Sequence, residues 1–136
     1  MLSPKRSLSS LTVRQTLDKH LRAVTQRDLA ALAKTLPEGS LVLITSDGQL
    51  VRSVPEFLAR HRDWFASATW SLGFEEVSIT ETPDLAVAVL RLDYRDEPAG
   101  RPPRREMSYL TLVFARRDDQ WVMIQAQNTP IRSRES

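Results

Sequence analysis

His20 and His61 are the two histidines of this 136-residue sequence, and theirs are the side chains whose ordinary pKa lies close to neutral pH. Cofactor-free proton transfer at pH 7 would therefore run through one of them. His61 stands four residues from Phe57 and four from Phe65, a spacing that stacks the three rings on one helical face with Trp64 at its edge. The bland counterpart is a histidine satisfied inside a core. His20 follows Leu17 by three positions and adjoins Leu21, at the margin of an apolar stripe. Tyr94, Gln125 and Gln127 add neutral hydrogen-bonding groups that can orient a ligand, although an amide cannot take up a proton near pH 7. These six residues, His61, Trp64, Tyr94, Gln125, Gln127 and His20, are the candidate ligand contacts. No catalytic residue is assigned.

Other chemistries are excluded by composition. The sequence has no cysteine, which removes disulfides, thiolate-bound zinc, iron–sulfur clusters and thiol nucleophiles together. The two histidines belong to no His-Glu-x-x-His pattern, and no metal is expected. Four glycines, at 39, 48, 73 and 100, form neither a dinucleotide fingerprint nor a phosphate loop, so no cofactor is expected. Nineteen Lys and Arg against seventeen Asp and Glu leave a formal charge of +2, too narrow a margin to indicate nucleic acid. The basic cluster Arg101-Pro102-Pro103-Arg104-Arg105 lacks the interleaved aromatics of a single-strand binder. No apolar run approaches the ~20 residues of a membrane span, and the basic N-terminus lacks a continuous apolar signal region. A cytoplasmic protein is the expectation.

These side chains need elements to position them. Val13, Leu17, Leu21 and Val24 recur at helical spacing, with Ser9 or Ser10 as the expected cap. Asp28 caps a second helix, Leu29 to Leu36, ended by Pro37 and Gly39. Leu41 to Ile44, the turn Ser46-Asp47-Gly48 and Leu50-Val51 read as a hairpin. Ser53, Pro55 and Glu56 open a third helix that runs to about Ala66. Four strands follow, Trp70 to Thr80, Leu85 to Asp96, Glu106 to Arg117 and Gln120 to Thr129, the last pair joined at Asp118-Asp119. Alternation places Tyr94 inward and Arg91 and Asp93 outward. With a two-residue turn, it puts Trp121, Met123, Gln125 and Gln127 on one face with Arg116, Phe114, Leu112 and Leu110. The order predicts an α+β fold with helices on one face of a mostly antiparallel sheet.

The run from Tyr109 through Arg116-Arg117-Asp118-Asp119-Gln120-Trp121 to Asn128-Thr129-Pro130 resembles the ending of the SnoaL-like branch of the nuclear transport factor 2-like (NTF2-like) superfamily. The similarity is to its SgcJ/EcaC-type group, where a strand, an Arg-x-Asp-Gly turn, a Trp and a second strand close on Asn-Thr. The early hairpin and the helix start Pro55-Glu56-Phe57-Leu58 fit as well, so one domain is expected over residues 9–131, with tails 1–8 and 132–136. The resemblance implies a strongly curved sheet wrapped round helices into a cone. It also implies frequent dimerisation and a pocket between the concave face and the helices. The scaffold hosts isomerases, dehydratases, cyclases, epoxide hydrolases and non-catalytic association domains. Two positions depart from the pattern: Gln127 stands where related chains often carry His, and Asp119 replaces the turn glycine. A ketosteroid-isomerase style of mechanism needs a carboxylate base with buried acidic donors. Asp47, Asp84, Asp93 and Glu75 all read as turn, strand-end or outward charges.

The sequence is compatible with two functions. In the first, the domain binds a small hydrophobic molecule in a pocket lined by Leu17, Phe57, Trp64, Phe65, Leu90, Leu112 and Met123, as a binding protein or a cofactor-independent isomerase, cyclase or hydrolase. The alternative is a non-catalytic homodimeric association module, pairing through the sheet face that carries Val87, Val89, Val113 and Ile124.

Overall fold

Thr12 caps the first helix, α1 (Val13–Thr25), by a reciprocal arrangement: its Oγ1 accepts from Gln15 N at 3.1 Å and Gln15 Oε1 accepts from Thr12 N at 2.9 Å. This capping box satisfies two of the amides that a helix start leaves open. The computed structural model describes residues 11–132; the expected caps Ser9 and Ser10, and almost all of both tails, lie outside the described residues. Val13, Leu17, Ala23 and Val24 form the buried stripe of α1. Asp28 caps α2 (Leu29–Ala33) through Ala31 N, as its residue type predicts.

The second helix stops three residues short of the expected Leu36. From Lys34 onward the backbone bonds skip three residues instead of four: Lys34 N to Ala31 O, Thr35 N to Leu32 O and Leu36 N to Ala33 O. The Thr35 hydroxyl donates to Leu32 O at 2.8 Å, competing for the carbonyl that a longer helix would use. The freed Thr35 carbonyl accepts from Met123 N at 2.8 Å, tying this turn to the sheet.

β1 (Ser40–Ile44) and β2 (Leu50–Ser53) form the early hairpin, with Gly48 at φ 85° in its turn. Ser53 caps α3 (Val54–Phe65), accepting from Glu56 N at 3.2 Å, and a proline occupies its first turn. β3 (Trp70–Glu81), β4 (Leu85–Asp96), β5 (Arg104–Arg117) and β6 (Gln120–Pro130) follow, each within two residues of its expected bounds. The turn between β5 and β6 carries two residues in the left-handed region, Asp118 at φ 51° and Asp119 at φ 64°. That geometry matches the twist of a hairpin, and Asp tolerates it better than most residues.

The sheet order is β2-β1-β6-β5-β4-β3, all neighbours antiparallel except β1 with β6. Three helices thus pack on one face of a six-stranded curved sheet, the α+β arrangement expected. Ala86, Ala88, Leu90, Leu112, Phe114 and Met123 on the sheet meet Val13, Leu17, Leu32 and Phe57 beneath the helices. Here one expectation is corrected. Phe57, Leu112 and Met123 are core instead of the lining of a hollow, whereas Leu17 and Leu90 also border a cleft of about 300 Å³ beside Leu21 and Phe74. Phe114 and Met123 are 0% exposed, so the middle of the cone is filled by its own side chains.

Candidate functional site

One open space lies at the mouth of the cone, where α3 crosses β1 and β6. Leu43 and Thr45, Arg60, His61, Asp63 and Trp64, and Asn128 line a cleft of about 410 Å³ there, within the size range of small-molecule sites. Helical spacing delivers three of these side chains together: Arg60 and His61 stand one turn before Trp64 on α3.

His61 is held firmly. Its ring stacks on Phe57 at 4.1 Å and meets Trp64 and Phe65 edge-on, each at 5.8 Å. Its Nδ1 lies 2.8 Å from the Phe57 carbonyl oxygen. A carbonyl only accepts, so Nδ1 carries the hydrogen and Nε2 keeps a lone pair. Burial pushes the His61 pKa below its ordinary value, the Phe57 carbonyl opposes this, and Arg60 reinforces it. The imidazole is therefore neutral at pH 7, a hydrogen-bond acceptor and a base.

Trp64 continues the wall outward. It stacks on Trp70 at 4.1 Å, and the Trp70 indole donates to the Trp64 carbonyl at 2.9 Å. Tyr94 tilts against both rings, at 6.3 Å from Trp64 and 6.5 Å from Trp70. It faces inward as alternation predicts and belongs to this aromatic layer, but not to the residues lining the cleft. Burial first, and the Asp96 carboxylate second, raise its pKa, so its phenol keeps its proton. Arg27, left-handed at φ 55°, lays its guanidinium 3.8 Å over the Trp70 ring and donates to the carbonyls of Ser67 and Trp70.

Gln125 and Gln127 point the other way, contrary to the alternation expected for them. The ladder pairs Phe114 with Met123 but Val113 with Gln125, so Ile124 is an extra residue in β6. One inserted residue reverses the parity of everything after it. Ala126 and Asn128 consequently join Leu112 and Leu110 on the helix side, while Gln125 and Gln127 pair with Val113 and Thr111 on the outer face. The amide that the sequence was expected to send to the cleft is supplied by Asn128 instead.

His20 is a core histidine. It is 5% exposed, edge-on to Phe114, with Nδ1 2.8 Å from Thr35 Oγ1. The Thr35 hydroxyl spends its one proton on Leu32 O, so Nδ1 must donate. Burial, with a smaller contribution from His61, pushes the His20 pKa down to about 3.

The carboxylates read as turn, strand-end or outward charges, Asp47, Asp84, Asp93 and Glu75, are not among the residues lining the cleft. Asp93 sits between Arg105 and Arg95, which hold its carboxyl far below the usual carboxylate range. Glu75 reaches Arg91 at 3.9 Å, and Asp47 accepts from Thr45 at 2.5 Å. Among the described residues, no three His, Asp or Glu side chains are grouped to hold a metal, and no helix is long and apolar enough to cross a membrane. Trp70, Leu43, Thr45, Arg60, Asp63 and Arg27 carry no site signal in the sequence, where Asn128 stands out only within the Asn-Thr ending. Only the parity of β6, had its bulge been visible, would have found Asn128.

Similarity to known proteins agrees with this architecture. A ketosteroid isomerase-like protein from Erwinia carotovora atroseptica superposes with a TM-score of 0.73 at 13% identity, covering 88% of this chain and 94% of that one. A provisionally assigned dehydratase of the NTF2-like family from Streptomyces avermitilis gives 0.74 at 16% identity, covering 89% and 95%. A provisionally assigned calcium/calmodulin-dependent protein kinase type II association domain from Thiobacillus denitrificans gives 0.75 at 18% identity, covering 89% and 96%. No curated protein matches the sequence. The model of the SnoaL-like domain matches residues 13–131, and with that span and this fold the chain belongs to the SnoaL-like family of NTF2-like domains.

Proposed function

We propose that the domain binds a small hydrophobic molecule in the cleft between α3, β1 and β6, and that His61 Nε2 takes a proton or a hydrogen bond from it. The carrying observation is the state of His61: neutral, clamped through Nδ1 and Phe57, and bordering open space. A base preset in one tautomer loses little freedom when it acts. Trp64 and Leu43 supply apolar contact, and Asn128 a neutral amide. Structural neighbours described as ketosteroid isomerase-like and as a provisionally assigned dehydratase share this fold, and one neutral base beside an apolar wall suits proton transfer on a small molecule.

The outer sheet face suits a second copy of this chain. Val87 is 37% and Leu85 48% exposed there, and Val89, Val113 and Ile124 are half-buried beside them. Strands whose inner face is already core gain from a cover on the other face, and self-pairing is the simplest one. Gln125 and Gln127 add amides to that face.

Native mass spectrometry of protein purified from its own host reads both parts. The expected result is a dimer with a small organic adduct that leaves on collisional activation. A bare monomer would overturn both the ligand and the pairing.

A further inference from the structure

A second cavity lies at the opposite side of α1 from the β3 edge, and its chemistry differs from that of the cleft. It encloses about 370 Å³ between α1, α2 and the end of the β5–β6 hairpin. Its apolar surface comes from Leu11, Ala23, Ala31 and Trp121, with the two alanines on the helices facing one broad ring. The cavity has fixed walls: Asp28 N bonds back to Ala23 O at 2.9 Å, and Met123 N to Thr35 O at 2.8 Å.

Its charged groups are all of one sign. Lys19, Arg22 and Lys34 line it, and no Asp or Glu does. Arg22 is already paired with Asp18, one turn back on α1, at 2.5 Å. The ammonium groups of Lys19 and Lys34 have no hydrogen bond or ion pair among the described residues. Two like charges lining one cavity repel each other, and an anion seated among them would relieve that repulsion. The geometry points to a binding site for a small organic carboxylate, its apolar body on Trp121, Ala23 and Ala31 and its anionic end at Lys19 and Lys34. This site is independent of the His61 cleft, with which it shares no lining residue.

The probe is sodium 2-naphthoate, with neutral 2-naphthol as its control, titrated into the full chain and followed by amide chemical shifts. The expected result is one saturable site, with shifts at Ala23, Gln26 and Ala31 and at the Trp121 indole that 2-naphthol does not produce. Because Lys19 and Lys34 are exposed, replacing both (Lys19→Gln with Lys34→Gln) leaves the melting temperature in place. That double variant weakens binding by about tenfold or more, added salt weakens it too, and Lys19→Arg with Lys34→Arg retains it. No saturable shift at these residues overturns the site. So do equal responses to both probes at these residues and a double Gln variant with unchanged affinity.

Discussion

Between pH 7 and pH 5 the domain is expected to lose about 2 kcal/mol of stability through His20 alone. The folded pKa is about 3, against about 6.5 for an unfolded histidine. In this window the unfolded chain binds the proton and the folded one does not, so falling pH favours unfolding. The slope approaches about 1.4 kcal/mol per pH unit below 6.5 and ends near the folded value. The size of the loss to pH 5 depends only on the folded value lying well below 5. The interval also lies above the range in which carboxylates titrate, so Asp93 and Glu76, whose pKa values are lowered by their arginine partners, add little to it. The burial of His61 acts in the same direction as that of His20. Urea unfolding at the two pH values measures the difference. His20→Gln, whose amide can still donate to Thr35, should flatten most of it. The same slope in that variant would show that His20 is not the buried neutral group described here.

Replacing His61 is expected to remove function with little loss of fold. His61→Gln keeps much of the ring's volume but offers no base, and the loss of one hydrogen bond to a bound molecule should weaken affinity about tenfold or more. Where His61 acts as the general base, turnover should fall by about 10²–10⁴. Activity in the native protein should also decline as pH drops through the lowered pKa of His61, not at 6.5, because burial disfavours its charged form. A calorimetric melting curve beside the binding assay separates the roles. A large fall in melting temperature with affinity intact would make His61 a packing residue for Phe57, Trp64 and Phe65.

The sequence shows the helices and most strands clearly, because their apolar residues keep a fixed period and their starts carry recognisable caps. Asp28 and Ser53 were identifiable by type. The cap of α1 is Thr12, and the sequence offers Ser9 and Ser10 as equal candidates because Ser and Thr both favour the position. The site was less legible. His61 and Trp64 follow from helical spacing on α3 and do meet at the cleft. Gln125 and Gln127 were misplaced by a single residue, Ile124, whose type carries no sign that the strand bulges there. Trp70 and Arg27 join the aromatic layer through long-range contacts, and local periodicity cannot report these. The filled interior is also a property of packing: Phe114 and Met123 look the same in a list of apolar residues whether they line a hollow or close it.

Two-dimensional ¹H–¹⁵N spectra that resolve the imidazole nitrogens during a titration with 2-naphthol test the central claim most directly. This probe joins an apolar body to one hydroxyl donor. Before addition, His61 should show a protonated Nδ1 and a bare Nε2, as its bond to Phe57 requires. On addition, the Nε2 resonance should move with the amides of Leu43, Thr45, Trp64 and Asn128, saturating together. A bare Nδ1, or shifts that saturate elsewhere while Nε2 stays still, would contradict a ligand site built on His61.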